Sequence, residues 1–212
     1  MSQIGGGNDV SLKKIQSNTD MFRLDNILED WATRYKPLSH DMAAGSKKKT
    51  FFRVTMIDED NYVVRNFNTL ASPCMAYATH IDAEMLQNTN RISYRHVIYF
   101  LVKQDTAPQK TPHTDEMAAT EARYETDGMV QDLLAWLFDL KQKAGNGDKS
   151  FTSPLFSLTD KATREGLRGL QLDTANWATL PVHWNGWQVC GLSIEQIVPR
   201  DLCINPEKYI NE

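Results

Sequence analysis

Val97-Ile98-Tyr99-Phe100-Leu101-Val102 is the stretch on which the fold turns. Six apolar or aromatic residues follow one another without polar alternation, and β-branched and aromatic side chains suit a pleated strand. A strand of this composition needs cover on both faces, which places it at the centre of a sheet. The strand is predicted from Ile92 to Val102. Upstream, a second is predicted from Cys74 to Thr79, a third begins at Phe51 and runs to Ile57, and a fourth runs from Tyr62 to Phe67 after the acidic turn Asp58-Glu59-Asp60-Asn61. Downstream, Leu180 to Trp184, Asn185-Gly186 and Trp187 to Val198 read as strand, turn and strand, with Asn-Gly supplying the positive φ angles of a type I′ hairpin. Trp184 and Trp187 flank that turn and are predicted to pair across it.

Two helices frame the strands. Leu24, Ile27, Leu28, Trp31 and Tyr35 recur at the spacing of one helical face, and Pro37 closes the segment. From Asp115 to Ala144 there is no proline and good helix formers dominate, which allows a helix of about 45 Å; Gly128, worth about 1 kcal/mol against Ala, marks the one candidate bend. Its second half, from Met129 to Leu140, is apolar around most of its circumference and includes Trp136 and Phe138. So wide a stripe predicts cover from something besides its own sheet. Gln104 to Thr114, with two prolines, reads as a loop, and Gly145 as the stop of the helix. Residues 1–20, with three consecutive glycines, read as a flexible arm.

Element order therefore predicts an α+β domain over residues 21–212. A mainly antiparallel sheet is packed by an N-terminal helix and one long helix and closed by a β-hairpin. An irregular insert at about 145–180 contains one short helix near Asp160 to Leu167.

The chain has 212 residues, 41% hydrophobic and 24% charged, with a formal net charge of −4. These totals exclude a mostly disordered, collagenous or coiled-coil chain. No apolar run approaches the roughly 18 residues of a membrane span, and the first residues lack the apolar centre of a secretory signal, so no membrane contact is expected. Cys74, Cys190 and Cys203 are scattered, which fits a reducing compartment. Charge is distributed unevenly. Residues 1–55 carry nine basic and six acidic groups, whereas residues 56–212 carry fourteen and twenty-one. The first part contains the triplet Lys47-Lys48-Lys49; the second contains Asp127, Asp132 and Asp139 on the long helix, among other acids. Opposite patches of this kind register copies of one protein against each other. Lys47, Lys48 and Lys49 on one side, and Asp127, Asp132, Asp139, Trp136 and Phe138 on the other, are the interface candidates.

Other chemistries lack their motifs. Gly145-Asn146-Gly147-Asp148-Lys149-Ser150 leaves a helix where a phosphate loop must enter one, and no G-x-G-x-x-G or G-x-S-x-G occurs. His80, Asp82 and Glu84 are the tightest metal-like grouping, with a solvated polar turn as their expected role. His96 reads as a satisfied sheet histidine; His40, His113 and His183 are isolated. No cofactor or metal is expected. Lys47 to Lys49 followed by Phe51-Phe52-Arg53 mixes basic and aromatic residues, which leaves a transient DNA contact as a minor expectation against the overall negative charge. Two alternative readings stand beside assembly: an intracellular adaptor or regulatory binding module, and a small enzyme using His96, Asp82 and Glu84.

A helix ending near Tyr35, strands from Phe51 to Val102, a long helix from Asp115 to Ala144 and a closing strand from Trp187 to Val198 together give a layout that resembles the tail-terminator and neck proteins of tailed bacteriophages. The likeness is one of element order over most of the chain, and the glycine-rich arm and the insert depart from the compact family pattern. It implies a non-enzymatic virion protein assembled in the host cytoplasm. Such a protein forms a ring, hexameric or dodecameric, between tail-tube and connector proteins. Ring contacts are head to tail, so the two sides of a subunit must be complementary.

Overall fold

The computed structural model describes residues 22–43, 46, 48–54, 70–79, 82–87, 89, 91–104, 112–180 and 186–199, with backbone alone for 112–116. Among these are three helices and six strands: α1 (Leu24–Arg34), β1 (Phe51–Val54), β2 (Cys74–Ala78), β3 (Asp82–Met85), β4 (Arg91–Lys103), α2 (Pro112–Gly145), α3 (Lys161–Gly169), β5 (Leu170–Thr179) and β6 (Trp187–Pro199). The class is α+β with a mainly antiparallel sheet. The expected strand at Tyr62 to Phe67 and the Trp184–Asn185 part of the hairpin turn lie outside the described residues.

The sheet runs β1-β2-β4-β6-β5, and β3 continues the β2 edge of β4. β4 is its axis: all thirteen residues pair with β6, from Arg91 opposite Pro199 to Lys103 opposite Trp187. On its other edge the C-terminal half pairs with β2 and the N-terminal half with β3. All these ladders are antiparallel; β1 alone joins in parallel, beside β2. The central placement expected for residues 97–102 follows directly, with Ile98, Phe100 and Leu101 fully buried.

One face of the sheet carries all three helices. Phe51, Met75, Tyr77, Ile98, Phe100, Val102, Cys190, Leu192 and Ile194 pack there against Ile27, Leu28 and Trp31 of α1, Leu133, Leu137 and Leu140 of α2, and Leu167 of α3. The other face has a smaller apolar cluster at one end, built on Val54, Cys74, Ala76, Leu101, Trp187 and Val189. α1 buries Leu24, Ile27, Leu28 and Trp31 of the residues its periodicity named, and the chain leaves it at the half-buried Tyr35, whose N–H still reaches the Trp31 carbonyl. α3 is capped by Asp160, whose carboxylate accepts from the Ala162 and Thr163 amides at 3.3 and 2.9 Å.

Several boundaries differ from the sequence reading. α2 is continuous through Gly128, because its buried side supplies more stabilisation than one glycine removes. Pro112, expected in a loop, opens the helix, where a missing N–H costs nothing. The insert contains α3, as expected, but its C-terminal third is strand β5, which pairs with β6; the Leu180 amide still reaches the Val189 carbonyl at 2.9 Å, and residues 181–184 of the expected hairpin strand lie outside the described residues. Asp82 and Glu84 lie on strand β3 rather than in a turn. The rest of the insert explains the wide apolar stripe of α2. Phe156 meets Trp136 edge to face at 6.3 Å, Phe151 stacks on Phe156 at 5.2 Å, and the Arg34 guanidinium lies 5.3 Å over Phe151. The second flank of α2 is covered by its own chain.

Candidate assembly interface

The basic loop is held by a histidine. His40 is buried, its N–H reaches the Ala32 carbonyl at 3.0 Å, and its Nδ1 accepts the amides of Thr50 and Phe51 at 3.1 and 3.2 Å. Its Nε2 lies 3.6 Å from Glu29. Between these anchors the Asp41 amide donates to the Lys48 carbonyl, closing a loop that holds Met42, Lys48 and Lys49 outward; Met42 is 44% exposed. Lys47 lies outside the described residues. Because Nδ1 already accepts twice, it has no room for a second proton, and burial lowers the His40 pKa against the opposing pull of Glu29.

The sign of the pH effect follows. Below the ordinary histidine pKa near 6.5 the unfolded chain takes up a proton that the folded chain refuses, so stability falls with pH. Each buried neutral histidine contributes up to about 1.4 kcal/mol per pH unit in that window. Urea midpoints measured from about pH 7.5 to 5.5 should fall steadily, and His40→Gln should flatten the slope.

α2 presents the acidic residues, and Tyr35 at the end of α1 brings them next to the segment from which the basic loop leaves. Asp132 accepts the Tyr35 hydroxyl at 2.7 Å, Asp139 pairs with Lys143 at 2.6 Å, and Asp127 faces Arg123 at 3.9 Å. These contacts leave Asp132 and Asp139 exposed on one flank with Glu121 and Glu125. Trp136, another of the interface candidates, is partly covered by Phe156 and is less exposed than Phe138. Phe138 stays 39% exposed. Two residues that sequence reasoning passed over join it: Met117 at 61% and Tyr124 at 73% exposure. Met117, Tyr124, Gln131 and Phe138 recur every seven residues, so they form one outward stripe along α2. That spacing was the signal, hidden among the apolar residues from Met129 to Leu140.

The enzyme constellation does not assemble. His96 faces the helices alongside Ile98 and Phe100, whereas Asp82 and Glu84 stand opposite Arg95 and Ser93 and so lie on the other face of the sheet. Tyr77 and Gln196 satisfy both nitrogens of His96, at 2.9 and 3.0 Å. Among the described residues no group of three metal-ligating side chains comes together, and His80 and His183 lie outside them, as does the side chain of His113. Cys74 and Cys190 are buried, and burial pushes their thiols up to about 12 and about 11, far from a nucleophile's range. Arg53, read as part of a basic-aromatic patch, is committed to Asp25 and Glu29, each at 2.8 Å. No helix among the described residues is long and apolar enough to cross a membrane.

Compared with protein-family models, curated proteins and solved structures, the chain matches none.

Proposed function

We propose that the protein is a structural subunit of a tailed-phage particle, assembling head to tail into a ring at the head–tail junction or tail end. One observation carries the assembly reading: two patches of opposite sign, on the loop after α1 and on α2, each present exposed apolar side chains. Met42 stands with Lys48 and Lys49 on the loop after α1; Tyr124 and Phe138 stand with Asp132 and Asp139 on α2. Complementary rather than self-complementary patches suit a closed ring, and like charges along α2 oppose a two-fold contact through it. The phage setting rests on the resemblance in element order. Tail-tube and connector proteins are the neighbours it implies.

Native mass spectrometry of the full chain tests the assembly. A hexamer or dodecamer is expected, dissociating as salt rises. Lys48→Glu with Lys49→Glu should weaken association roughly tenfold or more, and adding Asp132→Lys with Asp139→Lys should recover part of it. A chain monomeric at every concentration, alone and with tail-tube or connector proteins, overturns the ring. Absence of the protein from purified phage particles overturns the virion setting separately.

A further inference from the structure

The face of the sheet away from the helices is apolar at one end only. At the other end, three neighbouring strands turn polar side chains into a cleft of about 390 Å³ lined by Arg95 of β4, Ser193 and Glu195 of β6, and Thr174 and Asn176 of β5. A register break shapes it: Gln171 stands opposite Glu195 and Asn176 opposite Ser193, so residues 172–175 face Ile194 alone. The bulged segment puts Thr174 on the cleft wall. Bulges re-aim side chains in this way beside binding sites.

The polar groups in the cleft are largely uncommitted. Arg95 has acids on both sides in register, Asp82 on β3 and Glu195 on β6. Yet among the described residues its guanidinium makes no hydrogen bond or ion pair within 4 Å. The reason is visible for Glu195, whose carboxylate takes the hydroxyl of Ser93, itself 8% exposed, instead of turning to the arginine. Asn176 and Ser193 have no side-chain partner among the described residues, and Thr174 gives its hydroxyl to the Gln171 carbonyl at 3.3 Å, leaving its oxygen able to accept. Donors therefore gather along Arg95, Ser193 and Asn176, with acceptors beside them at Glu195 and Thr174.

We infer that this cleft binds a small zwitterion of the amino-acid class. The ligand carboxylate lies on Arg95, where a planar two-donor fork matches it, with Ser193 and Asn176 completing its hydrogen bonds. The ligand ammonium faces the free oxygen of Glu195. A simple anion is the poorer fit, because the two acids beside Arg95 repel it unless it brings a positive charge of its own. The site is on the opposite face from α2 and stands or falls independently of ring assembly.

Titration of the full-length protein by NMR, following the side-chain signals of Arg95 Nε and Asn176 Nδ2, tests the inference. The probes are alanine, 4-aminobutyrate, N-acetylalanine, alanine methyl ester and inorganic phosphate. Alanine or 4-aminobutyrate should shift both signals at millimolar concentration, and the probes lacking one charge should bind roughly tenfold more weakly. Arg95→Gln, on an exposed position that does not endanger folding, should weaken the zwitterion by roughly tenfold or more; Glu195→Gln should abolish the preference for alanine over N-acetylalanine. Phosphate binding as tightly as alanine, or no shift with any probe, overturns the inference.

Discussion

Gln196→Leu is expected to lower the free energy of unfolding by about 2–5 kcal/mol, the combined cost of leaving a buried donor and a buried acceptor without partners. Gln196 is 4% exposed and joins two layers: its Nε2 donates to the Gly166 carbonyl of α3 at 3.1 Å, while its Oε1 meets His96 Nε2 at 3.0 Å. Only the amide nitrogen can satisfy a carbonyl, so the oxygen must face the histidine. His96 therefore carries its proton on Nε2, and the Tyr77 hydroxyl donates to Nδ1 at 2.9 Å. Burial lowers the pKa of the ring and keeps it neutral. Urea denaturation at neutral pH measures the loss. Gln196→Glu separates the proton chemistry from the packing, because it keeps an acceptor for His96 and adds a charge that favours imidazolium. In that variant the His96 share of the pH dependence should change sign: a histidine pKa raised in the folded state stabilises as pH falls. A Gln196→Leu protein as stable as the parent would show that the chain of hydrogen bonds contributes nothing.

Phe100→Ala should cost about 3–5 kcal/mol, the range for removing a large aromatic side chain from a core that relaxes only in part. Phe100 is fully buried, on the central strand, and its ring meets Trp31 of α1 edge to face at 6.3 Å. The substitution empties the point where helix and sheet layers meet. A neighbour on the same strand supplies the contrast: Val97 is only half-buried, and Val97→Ala should cost well under half as much. Equal losses at the two positions would contradict the layer assignment.

How much of this was legible in the sequence depends on where the stabilisation of each segment comes from. The central strand and α1 were readable because their own residues carry the burial: an unbroken apolar run in one, a 3.6-residue stripe in the other. β5 was not. Gln171, Asp173, Thr174 and Asn176 have no strand pattern, and the segment is extended because β6 offers it a ladder. β3, four exposed residues, depends likewise on pairing with β4. Parallel pairing of β1 with β2 is set by topology, for which local sequence has no signal. At the candidate interface, the exposure of Lys48, Lys49, Asp132 and Asp139 follows from their charge, whereas that of Phe138 is seen only in the structure. The partial cover of Trp136 comes from Phe156 within the same chain, which local sequence does not announce, and Tyr124 was missed because its seven-residue spacing to Phe138 is masked by the apolar residues between them.

The ladder between β4 and β6 also bears on how the chain first folds. Its two strands are adjacent in space, yet Lys103 pairs with Trp187 and Arg91 with Pro199, so the whole of α2, the insert and β5 must be made before the axis of the sheet can close. During synthesis the first five elements would emerge with the β6 edge of β4 uncovered and its apolar residues without their partner strand. Contacts this distant in sequence slow folding, and an unpaired apolar edge invites association with other chains. Nascent protein would therefore be at its most vulnerable to aggregation in the interval between the emergence of Lys103 and that of Pro199.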